Sequence, residues 1–596
     1  MRFKSSKVGG YRVHAVSGTN TVSFGIDYRD ANTQGLLGFA VEREDPTENE
    51  RYFMFGFKVF ESVVGDIASD QAVKTYDQPV QSFVWDDFTA KPGREYTYWF
   101  HPLKGQPKNL DRSAPPIRIT LRTEPLFTTS GHDVFFNRGV ASSQAYVREF
   151  GNQRPDAITD PAKRAKALQW LSRDLDEAML AFIDGAAAGD TLLGCFYEFR
   201  YLPVLERLKT AIDRGVTVKL VLDGKDNSRT DNQGVFHEAF PREENLRSLA
   251  AAQLPASAVA CWREANANDI QHNKFMVRLS GPAGTPREVW TGSTNLSMGG
   301  VHGQTNVGHW VRDGAVATAF VAYWDVVAQD AGSRRGMDST TSRREKKAYR
   351  DAVGALLPTP TDWRTIASGT TPIFSPRSGS GVLDMYFAMV DESDQLSCIT
   401  LAFGVNAGLK ALLLNNASHP ERLTFLLLEK EDKAKPNKPF QPLRARHNVY
   451  AAWGSYIRDA VYRWARETST RALGLNQHVA YIHSKFLLKD PLGAEPIVVT
   501  GSANFSDAST NGNDENMLVI KGERRVADIY FTEFNRLFFH YYFRSMHNLP
   551  TTGVGGTTPP SRFLKEDDSW IAAYRPGSLK AKRVGLFTAM AGAELI

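Results

Sequence analysis

His272-x-Lys274 and His483-x-Lys485 are the residues of this chain whose types and spacing are suited to chemistry. The first motif runs QHNKFMVRL and is followed by VWTGSTNLSMGG; the second runs IHSKFLLKD and is followed by VVTGSANFSDAST. A single His-x-Lys in an apolar strand is chance. Two, each with a Gly-Ser-x-Asn turn downstream at similar spacing, are not. On a strand, residues two apart point to the same face, so two such strands would aim two imidazoles and two ammonium groups at one spot. A phosphodiester under attack needs a nucleophile, an acid for the leaving oxygen and positive charge around the equatorial oxygens. Two His and two Lys supply all three.

The surrounding elements must hold those strands together. With 596 residues the chain holds several domains. Its net charge of +5 permits an anionic substrate without requiring nucleic acid. The three cysteines, Cys195, Cys261 and Cys398, have no metal-ligand spacing and read as buried thiols. Residues 1–125 read as an all-β sandwich, from the alternation of Val22, Phe24, Ile26 and Tyr28, of Tyr96, Tyr98 and Phe100, and of Ile117, Ile119 and Leu121. From 126 the pattern changes to helices alternating with buried strands. Leu168, Leu171, Leu175, Met179 and Phe182 fall at helical spacing, DTLLGCFYEF and VTVKLVLDG read as strands, and LPVLERLKTAIDRG reads as the helix between them. The order repeats in LDMYFAMVDES, QLSCITLAFGVN, AGLKALLLNN and RLTFLLLEK. The expectation is an α/β class with two pseudo-symmetric halves, residues 126–332 and 372–550, built on mixed, largely parallel sheets. A charge-rich connection, 333–371, reads as a solvated linker or helix. YFTEFNRLFFHYYFRSM reads as a core helix sealing the last sheet, and 551–596 as a tail packed on the catalytic core.

The duplicated motif resembles that of the phospholipase D superfamily, HxKxxxxD followed by GSxN. The resemblance runs from about Phe127 to Arg544. It implies that one His forms a phosphohistidine while the other protonates the leaving alcohol and then activates water or an acceptor alcohol. It implies further that Lys274 and Lys485 clamp the non-bridging oxygens, that Asn295 and Asn504 add hydrogen bonds to them, and that Ser293 and Ser502 shape the turns. The second half carries the full motif: Asp490 stands seven residues after His483, and Glu515 holds the later carboxylate position. The first half has Leu279 in place of the Asp; when NDENMLVI is set against GQTNVGHWV, Asn306 falls opposite Asn516 and Gln304 or Thr305 replaces the carboxylate. One carboxylate can support one imidazole. In relatives whose halves cross-connect the second-half carboxylate supports the first-half His, so the resemblance implies His272 as nucleophile supported by Glu515 and His483 as general acid and base, with Asp490 structural. His302 and His309 match no motif position and read as structural or rim residues. VWDDFTAKPGREYTYWFHPLKG resembles the later half of a fibronectin type III domain, with Pro92-Gly93 at the turn and Tyr96 at a tyrosine corner.

The resemblance implies a phosphoric diester hydrolase needing no metal or other cofactor, and no zinc, Walker A or dinucleotide fingerprint is present. The substrate is a phosphodiester: a phospholipid by slight preference, with head-group hydrolysis or exchange, or else a nucleic acid or DNA/RNA end. A degenerate binding protein is the reading from another class. With both halves in one chain an oligomer is not required. No run of about 18 apolar residues suggests a membrane span, which leaves peripheral membrane contact open. The N-terminal MRFKSSKVGGYRV lacks the apolar stretch of a signal peptide, so the chain as given is expected in the cytosol unless exported without one.

Overall fold

The computed structural model describes residues 1–56, 58–66, 73–129, 131–139, 146, 149–151, 153–416, 419, 421–434, 441–443, 445–455, 479–547 and 563–596. The N-terminal region is two facing antiparallel sheets. Arg2–Lys4, Arg12–Ser17, Val22–Asp27 and Val84–Asp87 form one; Gly38–Asp45, Glu50–Phe53, Glu95–Gln106 and Ile117–Arg122 form the other. The predicted alternation sets the packing: the Phe24 ring of the first sheet lies 4.8 Å from Tyr98 and 5.2 Å from Phe100 of the second. The Tyr96 hydroxyl accepts the Lys91 N–H at 2.9 Å.

Two seven-stranded sheets follow. In the first half they are β1 (Gly131–Phe136), β2 (Thr191–Phe196), β3 (Thr217–Asp223), β4 (Val259–Arg263), β5 (Lys274–Ser280), β6 (Thr285–Gly292) and β7 (Val307–Arg312). In the second they are β8 (Gly369–Ser375), β9 (Leu396–Leu401), β10 (Leu423–Leu428), β11 (Val449–Trp453), β12 (Phe486–Lys489), β13 (Ile497–Gly501) and β14 (Glu515–Lys521). Strand order is β1-β7-β6-β5-β2-β3-β4 in one and β8-β14-β13-β12-β9-β10-β11 in the other, the same topology twice. The expected repeat is present and the sheets are mixed, but they are not largely parallel. Parallel pairing is confined to β2–β3–β4 and β9–β10–β11, where helices such as α1 (Leu202–Asp213) make the crossovers. The motif strands β5–β6–β7 and β12–β13–β14 form antiparallel meanders. Their first connections, such as Gly281–Gly284, are far too short for a parallel crossover.

Both faces of each sheet are buried, which explains the near-continuous apolar runs. Alternate residues serve different layers. Phe275 and Val277 of β5 join Phe486 and Leu488 of β12 in a core shared by the two halves, whereas Met276 and Leu487 face the separate outer cores of their own halves. The shared core also takes in α2 (Gly314–Ala328) and the aromatic helix, whose Tyr530, Phe534, Phe538 and Tyr541 are buried. The charged connection forms α3 (Ser339–Leu356), and the aromatic helix is α4 (Arg524–His547). Two expectations change in detail. Leu168 to Phe182 is not one helix: Pro161–Ser172 and Leu175–Asp184 are separated by Arg173 and Asp174, both left-handed at φ 44° and 71°. The tail packs largely on the N-terminal sheets. Trp570 and Tyr574 lie 5.0 and 4.9 Å from Phe83, and Glu594–Leu595 pairs with Arg2–Lys4. The linker residues 551–562 lie outside the described residues.

Candidate active site

The halves interlock through two short parallel bridges, Gln271 with Asp514 and Thr305 with Ile482. The His272 N–H donates to the Asp514 carbonyl at 2.9 Å, and the His483 N–H to the Thr305 carbonyl at 3.3 Å. Each histidine is therefore delivered to the opposite half. His272 Nδ1 lies 3.0 Å from both Glu515 oxygens, and His483 Nδ1 lies 2.9 Å from Asn306 Oδ1. The partners define the tautomers. Glu515 can only accept. Asn306 gives its NH₂ to the Gly300 carbonyl at 2.8 Å, so its oxygen faces His483. Both imidazoles thus carry their proton on Nδ1 and leave Nε2 as a free base. Lys274 and Lys485 each return a hydrogen bond to the carbonyl of their own histidine at 2.5 Å, which locks the two His-x-Lys units in one geometry.

The turns close the site from the other side. Ser502 N–H donates to the Asn516 carbonyl at 2.9 Å and Ser293 N–H to the Val307 carbonyl at 3.0 Å, while the two serine hydroxyls accept from the N–H of Asn516 and Val307. A Cβ on Gly501 or Gly292 would collide with those same carbonyls, and Gly292 also stands at φ 141°. The serines therefore shape the turns. The Ser502 backbone lies against His272 and that of Ser293 against His483, again across the halves.

These equivalences correct one sequence assignment. Ser293 pairs with Val307 as Ser502 pairs with Asn516, so Val307 is the counterpart of Asn516. Asn306 then stands where Glu515 stands. Neither Gln304 nor Thr305 replaces the carboxylate; the Gln304 Oε1 is buried and meets no partner among the described residues. The misalignment came from matching Asn to Asn, where the strand register, invisible in sequence, matches Asn to Glu. Asp490 lies away from the imidazoles. It accepts the N–H groups of Asp394, Gln395 and Leu396 at 2.8–3.1 Å. In the first half Asp190 does similar work from the other strand, accepting from Gly281 and Ala187 at 2.7 and 2.9 Å, so Leu279 costs the fold nothing there. His302 bonds Tyr201 and Leu168, and His309 bonds His132 and Tyr530; neither joins the site.

Burial sets the electrostatics. His272, Lys274, His483, Lys485 and Glu515 are all buried. Desolvation, then the two ammonium groups, hold His272 well below the usual imidazole range, and His483 likewise. Burial brings Lys274 down to about 8 against the pull of Glu515, and holds Lys485 well below its usual range. Burial raises Glu515 to about 7, opposed by both lysines. Every group is pushed towards neutrality. A phosphodiester monoanion bound here would restore charge to the lysines and receive it back as attraction.

Sequence reasoning missed Asp223, the last residue of β3, and Glu429, the residue after β10. Asp223 accepts the N–H of Gln271 at 3.1 Å, and Glu429 those of Ala480, Tyr481 and Ile482 at 2.8–2.9 Å. Each holds the segment just before a histidine. A carboxylate at the same place in both repeats, LVLDG and LLLEK, was the signal. It also missed Glu198, which accepts from Asn295 Nδ2 at 2.7 Å. Among the described residues no group of three or more His, Cys, Asp or Glu is arranged to hold a metal ion, and no helix is long and apolar enough to cross a membrane.

A family model described as cardiolipin synthase, PLD-like domain, matches residues 179–326 and 417–538, one region in each half. Both matched regions are similar to the PLD-like domain of that family model. No curated protein sequence matches it. Solved structures similar to this phospholipase D-like chain include phosphatidylserine synthase of Haemophilus influenzae Rd KW20, at 12% identity and TM-score 0.40, covering 62% of this chain and 86% of that one. Polyphosphate kinase of Porphyromonas gingivalis aligns at 9% identity and TM-score 0.36 over 59% of this chain, which spans 43% of the kinase. Nuc of Salmonella typhimurium, a phospholipase D family member, aligns at 20% identity and TM-score 0.19 over 26% of this chain and 87% of its own length.

Proposed function

We propose that this protein cleaves phosphodiesters through a phosphohistidine, without a metal, and that its substrates are phospholipids whose head groups it hydrolyses or exchanges. The observation that carries the reading is the crossed pairing of the histidines. Both are held at Nδ1, but only His272 has a carboxylate there. His272 Nε2 attacks phosphorus, forming the P–N bond as the P–O bond to the leaving alcohol breaks. His483, which takes up a proton at Nε2 from solvent as the phosphate anion binds, gives that proton to the leaving oxygen. Deprotonated, it takes a proton from water or an acceptor alcohol, which then displaces phosphate from His272. Phosphorylated His272 is cationic, and Glu515 is its counter-charge. Lys274 and Lys485 hold the non-bridging oxygens, doing by direct charge what a divalent ion does elsewhere. Asn504 adds a hydrogen bond to the same oxygens, whereas Asn295, expected to do so as well, gives its NH₂ to Glu198 instead.

The family description, cardiolipin synthase, supports the lipid preference. A nucleic-acid phosphodiester is the second reading. Its support is α3, where Arg344 and Lys347 are 73% and 75% exposed and which is tied to the site region by the Tyr349–Asp514 and Lys346–Asp269 bonds. A non-catalytic binding protein fits poorly with two intact His-x-Lys pairs. The test is turnover of bis-p-nitrophenyl phosphate, which should survive EDTA and disappear in His272→Ala and His483→Ala. Loss with EDTA and recovery with divalent metal overturns the mechanism. Head-group release from mixed phospholipid micelles should follow. Silence there, with nucleic-acid cleavage that falls steeply as salt rises, replaces lipid by nucleic acid.

A further inference from the structure

The two halves differ in what stands beside their GSxN turns. The registers of β2 with β5 and of β9 with β12 make Phe196 equivalent to Leu401. Glu198 and Phe403, two residues further on, therefore hold matching places. Glu198 Oε1 accepts from Asn295 Nδ2 at 2.7 Å, and its Oε2 accepts from Arg200 Nε and Nη2 at 3.0 and 2.8 Å. A carboxylate only accepts, so it holds the Asn295 amide with NH₂ towards itself and the carbonyl Oδ1 turned away. Asn295 is 5% exposed, and that Oδ1 is buried with no donor among the described residues. Tyr197, the neighbour of Glu198, lies 5.3 Å from the His272 ring and 5.8 Å from Lys274 Nζ, so this pair borders the phosphate site. Phosphate oxygens are acceptors and cannot satisfy Oδ1. A hydroxyl or an ammonium can. In the second half Phe403, 75% exposed, takes the place of Glu198. Asn504 Oδ1 of the second half is likewise buried without a partner among the described residues, but with Phe403 in place of Glu198 no carboxylate orients its amide, so only the first flank offers an acceptor held in one orientation.

We propose that Glu198 and Asn295 form a subsite for a hydrogen-bond donor, a hydroxyl or ammonium, carried by the polar alcohol of the substrate, so that this alcohol lies against the first half. Asn295 Oδ1 accepts the donor, and Glu198 is the positioning residue that keeps it an acceptor. The proposal rests on the phosphodiester reading above and narrows it to esters of donor-bearing alcohols.

Calorimetry on the full chain tests it with soluble phosphomonoesters, which need no turnover. Glycerol phosphate and phosphoethanolamine carry donors; methyl phosphate and phosphocholine do not. The unmodified protein should bind the donor-bearing pair about tenfold tighter or more, the scale of leaving a buried polar group unpaired. In Glu198→Gln and Glu198→Ala the preference should shrink to about threefold or less, because the Asn295 amide is then free to turn. Equal binding of all four ligands by the unmodified protein overturns the proposal, whatever the variants do. So does a preference that survives both substitutions. A preference seen in a protein that turns over no diester leaves the subsite standing and removes the proposed function. Diester turnover without the preference does the reverse.

Discussion

His272 and His483 share a motif and a tautomer but not a partner, and the difference predicts separate kinetic roles. Glu515 bonds His272 with both oxygens, whereas Asn306 offers His483 a neutral oxygen. Glu515→Gln should slow phosphohistidine formation by about 10²-fold, within the range of a positioned acid–base partner. His483→Ala should still allow attack on a diester with a good leaving group and should stall release, so rapid quench and peptide mapping should find phosphate on His272. Label on His483 reverses the roles. The pH dependence follows from the same groups. Glu515, raised to about 7, must be ionised to balance the cationic intermediate, and Lys274, lowered to about 8, must be protonated to hold the phosphate. On a diester whose leaving group needs no proton from His483, the profile of kcat/KM should therefore rise through pH about 7 and fall as the two lysines lose their protons, no later than about pH 8. Glu515→Gln should abolish the acid limb and keep the alkaline one. A profile unchanged in that variant assigns the acid limb to another group.

At the scale of elements, α4 joins what the chain keeps apart. Its Glu533 accepts from Arg173 of the first half at 2.7 Å, from Arg536 at 2.8 Å and from Thr21 of the N-terminal sheets at 3.1 Å, all buried. The two guanidiniums hold its carboxyl down at about 2 against the cost of burial. Glu533→Gln would leave two buried cations without that counter-charge, a loss of about 3–5 kcal/mol, read as a lower denaturation midpoint. The sign with pH is fixed. The folded-state value is depressed from 4.5, so the stabilisation is complete above pH 4.5 and is lost as pH falls through about 2. The gap between variant and parent should be widest above pH 4.5 and close towards pH 2. A constant gap across that range means packing, not charge, was lost.

At the scale of the molecule, each half completes the other's site. His272 needs Glu515 and the Ser502 turn; His483 needs Asn306 and the Ser293 turn. Both sets lie in one chain. Specific activity should therefore stay constant on dilution through any dissociation seen by sedimentation. Activity that falls with the square of concentration would mean that a second chain completes the site. The β layers at the N-terminus are bound into the same body. Arg2 donates to Asp528 of α4 at 2.8 Å and to the carbonyls of Leu492 and Ala591 at 2.8 and 2.9 Å, joining that region, the second half and the tail.

The reacting groups, the duplication and the β-then-α/β order were legible from residue types and local period, whereas the crossed support of one imidazole came from the resemblance to the phospholipase D superfamily. Those signals are local: a His and a Lys two apart on a strand share a face whatever the strand packs against. Three things required the tertiary structure. Sheet direction did, because a buried apolar run reads alike in parallel and antiparallel pairing, and the β5–β6–β7 meander proved antiparallel. Strand register did, because it depends on partners far along the chain, and it moved the carboxylate's counterpart from Gln304 to Asn306. The supporting carboxylates did as well. Asp223, Glu429 and Glu198 lie far in sequence from the groups they hold, and only the packing of β3, β10 and β2 against the motif strands brings their oxygens within bonding distance of those groups.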